Sequence, residues 1–83
     1  MRQFKKGERA VVTSIHPDDA FFDRKKEWIG KKVDIGQAFG TCPIIPTFYH
    51  GYLRRLYSKH FWYFYAVRVI PALPRKTKLK KLI

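Results

Sequence analysis

The ten residues from Phe61 to Ile70 constrain the fold more than any other stretch of the chain. In an extended conformation Phe61, Tyr63, Tyr65, Val67 and Val69 fall on one side, and Trp62, Phe64, Ala66, Arg68 and Ile70 on the other. Apart from Arg68 both sides are apolar, so the segment reads as a strand that is central in a sheet or covered on both faces. Pro71 and Pro74 end it, because proline has no N–H to give a ladder. With 83 residues in all, the chain is a single small domain with little else to do the covering. Its 46% hydrophobic and 17% aromatic content is still too high for a chain that stays disordered.

The preceding segments supply partners for that strand. Residues 8–15, short and β-branched after Gly7, read as a first strand stopped by His16-Pro17. Ile29 to Ile35 reads as a turn into a second strand, with Val33 and Ile35 on one face. Phe48 to Tyr57 is a third strand, bent at Gly51, and Ser58-Lys59-His60 turns it into the fourth. Between the second and third, residues 36–46 hold two Gly and two Pro and read as a connector whose Ile44-Ile45 plugs the core. Residues 17–28 admit two readings. Pro17, Asp18 and Asp19 resemble a helix start, with Asp18 and Asp19 covering its first turn and Phe21, Lys25 and Trp28 on one face. Equally, the segment is a long loop that tucks Phe21, Phe22 and Trp28 onto the sheet; a loop containing one helical turn is the favoured form. Four or five short strands with long loops predict a mainly β fold, a strongly bent sheet curled into a small barrel that hides its edges. The barrel occupies residues 1–74, and residues 75–83 form a basic C-terminal tail.

Charge is unevenly placed along this chain. Eighteen Lys and Arg face six Asp and Glu, a formal net charge of +12. All six acids (Glu8, Asp18, Asp19, Asp23, Glu27, Asp34) lie in the first 34 residues, which net +3, and the remaining 49 net +9 with no acid at all. Such a surface repels itself, and a polyanion would relieve the repulsion and release counterions on binding. Nucleic acid is the expected partner, with an acidic protein surface as the alternative.

The opening Lys6-Gly7-Glu8-Arg9-Ala10-Val11-Val12-Thr13, followed after a loop by Trp28-Ile29-Gly30-Lys31-Lys32-Val33-Asp34-Ile35, resembles a KOW-type SH3-like barrel. The shared pattern is a Gly-acid-x-Val-x-Val opening strand and an aliphatic-Gly-Lys turn, over residues 5–36. The resemblance implies that Gly30 reverses the backbone, that Lys31 and Lys32 contact nucleic acid, and that DNA, RNA or a ribosomal or polymerase component is the partner. The chain departs from the pattern in its long insert from His16 to Glu27 and in Val33, where a second Gly is common. Small basic proteins of this type are also similar to phage-encoded regulators of DNA or host transcription.

Aromatic and basic residues interleave on the two last predicted strands, as in single-strand binders whose rings stack on bases while Lys and Arg hold phosphates. Tyr52, Arg54, Arg55, Tyr57, Trp62, Tyr63, Tyr65 and Arg68 fit that description, although a domain this small also needs rings for its core. Arg54 and Arg55 point to opposite faces, so at most one shares a face with Arg68. Arg75, Lys76, Lys78, Lys80 and Lys81 form an arm suited to a phosphate backbone. The predicted interface is therefore Lys31, Lys32, Arg54, Arg55, Lys59, Tyr63, Arg68 and these five tail residues, contacting mainly phosphates with low sequence specificity.

Catalysis is not expected. His16, His50 and His60 have no metal-ligand spacing, no phosphate-cradling glycine loop is present, and no carboxylate pair has a promised cleft. Cys42 alone makes no disulfide framework or Cys-based zinc site, and reads as a small buried residue. No cofactor is implied. No stretch is long enough to span a bilayer and no secretory signal opens the chain, so a cytoplasmic protein is expected.

Overall fold

A computed structural model describes residues 4–72. The basic tail, with Arg75, Lys76, Lys78, Lys80 and Lys81, lies outside the described residues. Four strands make up the fold: β1 (Arg9–Ile15), β2 (Lys32–Thr41), β3 (Tyr49–Arg55) and β4 (Trp62–Pro71). All pairings are antiparallel. β1 pairs with β2 and β4, and β3 pairs with the same two, so the sheet closes on itself. Between β1 and β2 the chain makes one α-helical turn, α1 (Phe22–Lys25), running into a 3₁₀ turn at Lys26–Trp28.

The interior is filled by Ala10, Val12 and Ile15 of β1, Val33 and Ile35 of β2, Leu53 of β3, Phe64, Val67 and Val69 of β4, and Trp28 from the insert. Trp28 packs edge-on against Phe64 at 5.0 Å between ring centroids. One inward row from each strand suffices, because the curled sheet faces itself. Gly30, with φ of +87°, supplies the reversal into β2 that a side-chain-bearing residue would adopt only under strain.

Three features differ from the sequence reading. First, the apolar sides of β4 are not both covered. Tyr49 pairs with Val67 but Gly51 with Phe64, so β4 carries an extra residue there, and this bulge shifts the inward row from Phe64 and Ala66 to Val67 and Val69. Tyr63, Arg68 and Ile70 are left facing out. Second, β2 runs on to Thr41 through residues assigned to a connector. Two register shifts against β3, at Ile35/Gln37 and Ala38/Gly40, absorb the glycines without ending the strand. Third, Ile44 does not plug the core but is 67% exposed, and the buried side chain beside that loop is Cys42.

β1 is too short to cover the whole of β4. Its last ladder pair is Ile15 with Val67, after which His16 N–H donates to Ala66 O. Beyond that point two side chains of the insert replace the missing strand. The Asp19 carboxylate accepts from Tyr65 N–H at 2.9 Å, and Lys25 Nζ donates to Tyr63 O. The two close on each other at 2.7 Å, with both side chains nearly inaccessible. Asp19 also accepts from Phe21 N–H at 3.0 Å, which turns the chain into α1. Burial pushes the Asp19 pKa up, but the hydrogen bonds from Lys25 and from the Phe21 and Tyr65 amides outweigh it and hold the carboxyl below its ordinary value.

The turn between β3 and β4 holds Tyr57 at a φ of +70°, with its ring fully exposed. A non-glycine residue in the left-handed region costs roughly 1–2 kcal/mol, and glycine gives back some of that through a more flexible unfolded chain. Tyr57→Gly is therefore expected to raise stability by up to about 1 kcal/mol, read as a higher urea midpoint at unchanged slope.

Candidate functional site

Strand alternation puts Leu53 inside β3 and its neighbours Tyr52 and Arg54 outside. Tyr52 stands directly opposite Tyr63 of β4, and their rings meet edge-to-face at 5.5 Å. Phe39 of β2 joins them, 5.5 Å from Tyr52 and 6.3 Å from Tyr63. His50 lies 5.6 Å from Phe39 on the other side. Phe39, Tyr52 and Tyr63 are each more than 40% exposed. Burial of these rings would have been favourable, so a connected group left open to solvent across three strands is the kind of surface that meets a partner. Half-exposed Phe61 extends it: the Arg54 guanidinium lies over that ring at 5.2 Å. Gly36 makes room for the ring, since a Cβ there would come 2.6 Å from it.

The basic residues surround this surface unequally. Arg54 bonds Asp34 at 3.0 Å, and Arg55 bonds Glu27 at 3.0 Å while lying over the Trp28 ring. The late arginines are thus partly balanced by early acids, a pairing that the separation of sign along the chain conceals. Each retains an Nε that is buried without a hydrogen-bond partner. Lys31, Lys32 and Lys59 are exposed and form no ion pair among the described residues. Leu56 N–H donates to Lys32 O, so Lys32 and the start of the β3–β4 turn are neighbours. The structure therefore brings Lys31, Lys32, Arg54 and Arg55 to one end of the β2–β3 ladder, with Lys59 in the turn that follows. Arg68 stands apart, next to the partner of Tyr49 at the other end of β3, where it bonds Thr47 at 2.8 Å and covers the Phe48 ring.

Of the residues predicted for the site, Tyr63 is thus a member of the exposed ring cluster. Phe39, His50 and Phe61 were missed by the sequence reading. For Phe39 the available signal was the lack of any proline between Ile35 and Pro43, which leaves the strand free to continue. Of the other candidate rings, Trp62 packs against the core, Tyr65 is half-buried, and Tyr57 sits on its turn.

A second concavity adjoins the first. Phe21, Trp62, Tyr63 and Tyr65 surround a hollow of about 190 Å³ that Asp19 and Lys25 also line. The nearby Ile45 amide, with the Ile44 amide and Tyr65, holds the thiol of buried Cys42 below its ordinary value against the opposing effect of burial. Among the described residues no group of three or more His, Cys, Asp and Glu could hold a metal ion, and no helix is long and apolar enough to cross a membrane.

No protein-family model matches the chain, and no curated protein or solved structure shows significant similarity to it.

Proposed function

We propose that this protein binds single-stranded nucleic acid, stacking bases on Phe39, Tyr52 and Tyr63 while lysines at the edge of that surface hold phosphates. The observation that carries the reading is the three-ring cluster itself, exposed on adjacent strands and continued by Phe61 with its Arg54 cover. Rings in this setting accept any base, because every base has a π-face. Lys31, Lys32 and Lys59 supply the salt-sensitive part, and Arg54 and Arg55 serve through whatever donors their carboxylate partners leave open. The closed four-stranded sheet, the positive-φ Gly30 and the exposed Lys31 and Lys32 after it support placing the chain with SH3-like barrels of the KOW type. On this reading the protein is a non-enzymatic, regulatory binding module.

The test compares single-stranded DNA, RNA and duplex DNA at two salt concentrations. Single strands are expected to bind more tightly than duplex. Tyr52→Ala, whose ring is exposed and leaves the core untouched, should weaken single-strand binding by about 5- to 150-fold, the loss of one stacked base. If three phosphates are neutralised, log K should fall against log salt with a slope of about −2 for single strands. Equal affinity for duplex, indifferent to Tyr52→Ala, would overturn the platform. Failure to bind any of the three, together with a one-to-one complex with an acidic protein, would instead establish the cluster as a protein-docking face.

A further inference from the structure

We infer that the hollow beside the Asp19–Lys25 pair takes one unstacked base of the bound strand, and prefers a base with a ring carbonyl. This rests on the single-strand reading above and adds a specificity pocket to it. Tyr63 belongs both to the exposed ring cluster and to the hollow wall, so a strand crossing the cluster can turn a base inward without leaving aromatic surface. Phe21, 55% exposed, forms the opposite lip, and Trp62 and Tyr65 complete the walls.

The polar lining defines the occupant. Both Asp19 oxygens already accept from Lys25 and from the Phe21 and Tyr65 amides. Lys25 has three N–H donors. Two go to Asp19 and to Tyr63 O, and among the described residues the third has no acceptor. The ammonium instead lies 4.8 Å from the Phe64 ring centroid and 5.7 Å from that of Phe21. With Asp19 beside it, the site carries no net charge for a phosphate, but it has one donor free for a neutral oxygen. At about 190 Å³ the hollow is smaller than the roughly 300–1,000 Å³ of sites that enclose drug-sized ligands, and suits one flat ring system. Thymine, uracil, cytosine and guanine offer a carbonyl oxygen that projects from the ring, whereas the acceptors of adenine are ring nitrogens set back in its edge.

The experiment measures fluorescence anisotropy of labelled nine-nucleotide dT and dA strands with the intact chain, with Phe21→Ala and with Tyr52→Ala, checking by circular dichroism that each variant stays folded. The intact protein should bind dT more tightly than dA. Phe21→Ala should weaken dT binding at least about fivefold, the loss of one stacked base, and bring dT and dA to the same affinity. Tyr52→Ala should weaken both strands by the same factor and keep the preference. Equal loss for dT and dA on Phe21→Ala, or no loss, overturns the pocket and leaves the platform standing. An intact protein that binds neither strand overturns the single-strand reading and the pocket with it.

Discussion

Lys25→Met is expected to destabilise the protein by about 3–5 kcal/mol, the usual result of removing one partner from a buried ion pair. That is a large part of what a domain of this size has to lose. Methionine matches the length and apolar stem of lysine, so the loss is that of the ammonium: Tyr63 O and Asp19 Oδ1 give up their donor in a place that water does not readily reach. Asp19→Ala is expected to cost at least as much, since it strands the Phe21 and Tyr65 amides as well as the lysine. A buried pair can often be exchanged for apolar residues with no penalty, but not here. Neither replacement would satisfy the backbone groups of β4, so the double variant Asp19→Ala/Lys25→Met should remain well below the parent. Urea titration of all four proteins checks this. The titration of Asp19 adds a pH signature. Its folded pKa lies below the unfolded value of about 3.9, so the unfolded state binds its proton first. The carboxylate thus contributes stability in full above that value and loses it as the pH falls through the folded pKa. The slope in that acid window should flatten in Asp19→Ala.

Gly51→Ala is the second substitution expected to be severe, at about 3 kcal/mol or more, the upper end of what overpacking costs. A Cβ at that position would overlap the Gln37 carbonyl oxygen and lie 2.9 Å from Ala38 Cα. Both obstacles are backbone of β2, so no rotamer change relieves them and the β2–β3 ladder must part. The contrast is Gly36→Ala, where the nearest atoms belong to the Phe61 ring at the surface. That ring can swing away, so the expected cost is below about 1 kcal/mol. Thermal unfolding of the two variants side by side separates a glycine required by close strand approach from one that only seats a side chain.

Much of this architecture is legible in the chain itself. The two-sided alternation from Phe61 to Ile70, the proline stop after it, the β-branched run before His16 and the Gly30 turn each act through local chemistry, and each strand starts within a few residues of its expected place. What is not legible depends on residues far apart in sequence. The β4 bulge exists because Tyr49 and Gly51 of β3 select partners three apart, and nothing near Tyr65 announces it. The extension of β2 to Thr41 depends likewise on register against β3, which overrides the poor strand preference of Gly36 and Gly40. Charge misleads for the same reason. Counted along the chain, the arginines of β3 have no counterion, yet the fold brings Asp34 and Glu27 to them. A lysine predicted to share a face with Phe21 and Trp28 did carry a clue, because an ammonium among rings needs a partner. The candidate interface was legible through Tyr52, Tyr63 and the lysines, and incomplete through Phe39.

Where β1 runs out, two side chains rather than a ladder hold the insert to β4, and that junction is the weakest joint of the closed sheet. Opening it breaks only the bonds from Tyr65 N–H to Asp19 and from Lys25 to Tyr63 O, without unzipping a ladder, so amide exchange at Tyr65 should run ahead of exchange at Val67 and Val69. Any guest that settles against Lys25 and the rings around it would clamp the same joint shut. Occupancy and rigidity would then rise together, and slower amide exchange at Tyr65 in the presence of a strand would report that the strand lies there.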